Sequence, residues 1–89
     1  MIETVKMENK DVFHWKLNNA IESFQMEYGV IPHVYLGKNA NEALSDIVKE
    51  IGYQQMNTEE IRDCIVANFV GVPCTYVSDI DPDTAILKA

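Results

Sequence analysis

The chain has 89 residues, 47% hydrophobic and 24% charged, a balance that belongs to an ordered domain and excludes a disordered tail. Fourteen acidic side chains against seven basic ones leave a formal net charge of -7, which repels phosphate and argues against direct binding to nucleic acid or to an anionic membrane. No apolar run approaches the roughly 18 residues of a membrane span, and the opening Met1-Ile2-Glu3-Thr4-Val5-Lys6 lacks the apolar core of a secretory signal, so one cytoplasmic domain spanning 1–89 is expected.

From Asp11 onward, apolar residues fall at Phe13, Leu17, Ala20, Ile21, Phe24 and Tyr28. These steps of three and four draw one stripe along a helix, and Gly29 stands where a left-handed C-terminal cap belongs. The polar face carries Lys16, Asn18, Asn19, Glu22, Gln25 and Glu27. After Pro32, the β-rich His33-Val34-Tyr35-Leu36 reads as a short strand closed by Gly37, and its apolar content on both faces predicts an inner strand. Asn39 followed by Glu42 has the spacing of an N-cap and its partner, and Leu44, Ile47, Val48 and Ile51 continue at helical period, so a second helix is expected over about 40–51, stopped by Gly52.

Tyr53 to Glu60 is polar and reads as a loop, with Thr58-Glu59-Glu60-Ile61 able to start a third short helix. Cys64 to Ala67 and Val72 to Val77 read as strands, joined by a turn or bulge at Gly71 and Pro73. Thr84 to Lys88 makes the last strand and, ending the chain, is expected at the sheet's edge. The sum is an α+β fold, two helices packed on one face of a small mixed or antiparallel sheet.

Between the last two strands, Asp79-Ile80-Asp81-Pro82-Asp83 sets three aspartates at alternate positions, as in the first half of a calcium loop. The rest of that loop is missing. Thr84 stands where glycine makes the sharp turn, position 12 lies past Ala89, and Pro82 pushes Asp81 toward extended backbone. A strand connection in which aspartates bond nearby amides is the expectation, with no metal.

His14, His33, Cys64 and Cys74 are metal-ligand types, but no Cys-x-x-Cys or His-x-x-x-His spacing joins any two, and no signature of a cysteine–histidine nucleophile surrounds them. The cysteines are expected to be reduced core thiols and the histidines surface or hydrogen-bonded side chains. Gly29, Gly37, Gly52 and Gly71 are isolated, so no phosphate loop is present. No cofactor is expected. Trp15 lies off the main helical stripe, which leaves two readings: burial against an N-terminal segment such as a strand at Glu3 to Met7, or a place in an interface.

Val34-Tyr35-Leu36-Gly37, Asn41-Glu42-Ala43-Leu44, Phe69-Val70-Gly71-Val72-Pro73 and the acidic turn Asp79 to Asp83 occur in an order that resembles the apical (A) domain of tailed-bacteriophage major capsid proteins, and small stand-alone prophage-encoded proteins similar to it. The resemblance covers residues 13–88. It implies no catalytic residues, and the long peripheral helix, extended loop and N-terminal arm that knit a capsid shell do not fit within 89 residues, so shell building is not implied.

The expected function is therefore non-enzymatic, phage or prophage-type protein binding, with homo-oligomerisation among the options. One alternative is an acidic decoy that imitates the phosphate backbone with Glu22, Glu27, Glu59, Glu60, Asp63, Asp79, Asp81 and Asp83. A small enzyme or metal protein built on the cysteines and histidines is the other.

Overall fold

A computed structural model describes residues 1–51, 61–62 and 65–89. The elements in chain order are β1 (Ile2–Lys6), α1 (Phe13–Tyr28), β2 (His33–Leu36), α2 (Lys38–Ile51), β3 (Ile61–Arg62), β4 (Ile65–Val66), β5 (Asn68–Phe69), β6 (Val72–Tyr76) and β7 (Thr84–Lys88). Five strands form one mixed sheet in the order β1-β7-β2-β6-β5, in which only β2 and β6 run parallel, while β3 and β4 pair as a separate antiparallel hairpin. α1 packs on α2, β1 and β7, and α2 also meets β7 and β4. The expected α+β class, two helices over one face of a mixed sheet, is what forms.

Register decides which side of each strand meets the helices. Val5 lies opposite Ala85, Val34 opposite Leu87 and Cys74, and Phe69 opposite Val72, and every one of these is buried. Phe13, Leu17, Ile21 and Phe24 from α1, with Ala40, Ala43 and Leu44 from α2, close over that face. The alternation expected in β6 holds, with Val72 and Cys74 inward and Pro73 and Thr75 exposed, and in β7 the inward pair is Ala85 and Leu87.

The position of β7 corrects the sequence reading. It is flanked by β1 on one side and β2 on the other, because the N-terminal segment adds as an antiparallel strand along the whole of β7. Chain order places no limit on sheet order, and β1 and β5 are the edges. β2 is an inner strand, as its sequence predicts.

Gly29 caps α1 in the left-handed conformation (φ 71°), its N–H donating to the Gln25 carbonyl at 2.8 Å. β5 and β6 are joined by the two-residue turn Val70–Gly71, both at positive φ (48° and 79°), the geometry whose twist suits a tight hairpin. The loop and third-helix readings over 53–60, and Cys64, lie outside the described residues.

α2 begins at Lys38, so Asn39 stands inside the first turn and is not its N-cap. The free amides of Asn39 and Ala40 donate instead to the Pro82 carbonyl, at 2.8 and 3.0 Å. The Asn39 Nδ2 donates to Asp83 Oδ1 at 2.8 Å. A backbone carbonyl from the β6–β7 loop thus fills the place a side-chain oxygen takes in an ordinary cap. Gly37 allows that approach, since a Cβ there would overlap the Asp81 carbonyl oxygen and lie 2.9 Å from both Cα and O of Pro82.

Candidate interaction surface

A helix turns 100° per residue, so Trp15 and Met26, eleven positions apart, lie within about 20° of one another around the axis. They stand on the side of α1 opposite the buried Phe13, Leu17, Ile21 and Phe24, and are 62% and 87% exposed. Val12, just before the helix, is 50% exposed, and the polar Asn19 and Glu22 are exposed between the two large apolar groups. Of the two readings of Trp15, burial against the N-terminal segment does not occur. The strand at Ile2–Lys6 forms, but it joins β7 beneath the opposite side of the helix. The only ring in contact with the indole among the described residues is the neighbouring His14, at a centroid distance of 5.1 Å and a tilt of 44°.

The sheet face turned away from the helices is a second surface. Register puts Ile2, Lys88 and His33 in one row and Thr4, Ile86, Tyr35 and Thr75 in the next. Ile2, Tyr35, Val77, Ile80, Ile86 and Lys88 line a shallow apolar depression there. His33 Nε2 lies 2.7 Å from the Thr75 hydroxyl and its ring stacks on Tyr35 at 4.8 Å, so His33 is a hydrogen-bonded surface histidine, as expected. These rows contain no carboxylate, whereas Glu22, Glu27, Glu42, Asp46 and Glu50 are all exposed on the helices. Lys16, Lys38 and Lys49 are exposed on the same helices, and Asp79 and Asp81 are exposed in the β6–β7 loop.

Two of the three aspartates, Asp81 and Asp83, have bonds within the turn and to α2. The Asp81 carboxylate accepts the Asp83 N–H at 2.9 Å, as an aspartate in a turn is expected to do, and the Thr84 hydroxyl donates to the Asp81 carbonyl at 2.7 Å. Among the described residues, no group of three or more His, Cys, Asp or Glu is placed to hold a metal ion.

Cys74 is a buried free thiol whose Sγ donates to the Val72 carbonyl at 3.5 Å, and burial pushes its pKa up to about 12. Such a thiol is a poor nucleophile, because reactivity follows the thiolate fraction. His14 is held below the ordinary imidazole value by burial, and its Nδ1 is buried with no hydrogen-bond partner among the described residues. Cys74 turns inward from β6 while His33 bonds Thr75 on the outward face of the sheet, so these two are not brought together as a reactive pair.

Sequence reasoning singled out Trp15 and missed Met26. The signal was available in the spacing of eleven, three turns on the same line, although a lone exposed methionine attracts no attention without it. No helix among the described residues is long and apolar enough to cross a membrane. No family model, curated protein or solved structure matches the chain.

Proposed function

We propose that the chain works by binding another protein and carries out no catalysis, in the manner of the phage and prophage proteins its motifs resemble. The observation that carries this reading is the outward face of α1, where Trp15 and Met26 hold large apolar side chains in water on a helix whose core stripe is already filled. Burying such groups against a partner gains about 25 cal/mol per Å² of apolar surface, and tryptophan is among the residues that dominate interface energetics. Trp15 is the sole tryptophan in the sequence, so its fluorescence reports this site alone. The test adds candidate partner proteins, or fractionated host and phage lysate, to the purified chain. Binding at this face shifts the Trp15 emission to the blue and protects it from a soluble quencher, and Trp15→Glu abolishes capture while far-UV circular dichroism is unchanged. Capture that survives Trp15→Glu and Met26→Glu together defeats the reading.

The exposed carboxylates of the helices favour one other reading, the acidic decoy. Its carboxylates are Glu22 and Glu27 on α1 and Asp79, Asp81 and Asp83 in the β6–β7 loop, to which the exposed Glu42, Asp46 and Glu50 of α2 add, while Glu59, Glu60 and Asp63 lie outside the described residues. A decoy competes with DNA for a basic DNA-binding protein, and the competition weakens steeply with salt. Salt-independent binding excludes it.

A further inference from the structure

Trp15, Asn19, Glu22 and Met26 follow one another along α1 at steps of four, three and four, on a line that faces solvent. Read from either end, the line runs apolar, polar, polar, apolar. Its midpoint falls between Ala20 and Ile21, and a two-fold axis there sets Trp15 of one copy against Met26 of another and Asn19 against Glu22. Val12 then falls against Gly29, whose missing side chain leaves room for it. From this self-complementarity, and as a refinement of the protein-binding reading on which it rests, we infer that the partner for this face is a second copy of the chain, paired through α1 in antiparallel orientation.

Orientation follows from charge. A parallel pair in register would set Glu22 against Glu22 at the centre of the seam, two like charges withdrawn from water. The antiparallel pair gives each Glu22 carboxylate the amide of Asn19, an uncharged donor. It also forms two equivalent contacts between indole and thioether, a favourable pairing of a polarisable sulfur with a ring. A closed two-fold contact of this kind uses the same patch twice and leaves none to propagate. The 16-residue helix is about 24 Å long, so the seam is short and belongs with transient interfaces, those burying under roughly 1,200 Å². Each copy carries -7, and the dimer therefore tightens as salt screens the repulsion.

The test is sedimentation of the full chain from micromolar concentration to about 1 mM, with Trp15 emission followed over the same range. The expected result is a reversible rise from the 10.1 kDa monomer toward twice that mass, a blue shift that tracks it, and tighter association in high salt. Trp15→Lys and Met26→Glu should each weaken the dimer by at least about tenfold, as the loss of a large apolar interface contact does, with melting temperature unchanged because both side chains face away from the core. Mixing the two variants should restore association beyond either alone, since an antiparallel pair then sets lysine against glutamate at one end and keeps the native Trp15–Met26 contact at the other. A monomer throughout the range, a dimer indifferent to both substitutions, or a mixture no tighter than its components overturns the proposal. If the chain stays monomeric while another protein shields Trp15, self-pairing is wrong and protein binding stands; if nothing shields Trp15, both fall.

Discussion

Replacing Gly37 with alanine tests the contact that joins the aspartate loop to the second helix. The new Cβ would overlap the Asp81 carbonyl oxygen and crowd Pro82 at 2.9 Å, and these are backbone atoms that cannot rotate aside. Relief requires the loop to retreat from the helix, which stretches the bonds from Asn39 and Ala40 to the Pro82 carbonyl and the bond from Gly37 N–H to the Thr84 carbonyl at 2.9 Å. Losing the two cap bonds costs about 1–3 kcal/mol and overpacking a tight site about 1–3, against which the stiffer unfolded chain returns only about 0.4–1. The balance is a loss of about 1–6 kcal/mol, centred near 3, from a domain whose whole stability is on the order of 4–13. In urea, with a slope near 1 kcal/mol/M for a protein of this size, the midpoint should fall by about 3 M at unchanged slope. Gly29→Ala is the control: its φ of 71° makes alanine strained, but nothing lies within 4 Å, so the cost should be only about 1 kcal/mol. A Gly37→Ala midpoint equal to or above that of the native chain would refute the close-approach argument.

Deleting Ala85 to Ala89 removes the strand between β1 and β2 together with the fully buried Ala85 and Leu87, and is expected to abolish cooperative urea unfolding; a sigmoidal transition in the truncated chain would contradict this. Asp79→Asn, Asp81→Asn and Asp83→Asn combined keep an oxygen acceptor for the Asp83 amide and for Asn39, so stability should move by no more than about 0.5 kcal/mol, and neither chain should gain melting temperature on adding calcium. A calcium-dependent rise in the native chain that the triple variant lacks would make the loop a metal site. Burial lowers the His14 pKa from 6.5, so the unfolded state takes up this proton first. Stability from the neutral ring is then complete above pH 6.5 and declines as the pH falls below it, and His14→Gln should lose less stability than the native chain between pH 7.5 and 5.5; identical pH dependence in the two would exclude that role.

What the sequence determined by itself was local. The steps of three and four from Phe13 to Tyr28, the left-handed cap at Gly29 and the alternation through Val72 to Tyr76 are consequences of backbone period and side-chain polarity, and all appear where those rules put them. Which of two faces a strand turns inward was legible for β6, where Val72 and Cys74 alternate with Pro73 and Thr75, and ambiguous for β7, where Ala85, Ile86 and Leu87 are apolar in succession. Tertiary structure settled the rest, because each remaining question depended on a partner distant in the chain. β7 is interior only because Ile2 to Lys6 returns to pair with it across 78 to 86 residues of chain. Asn39 has the right spacing for a cap, yet Pro82, brought against the bare Gly37, reaches the amides first. Trp15 could be seen to leave the core stripe, but whether anything covered it turned on where the N-terminal strand docks, and that strand lies in the sheet on the far side of α1.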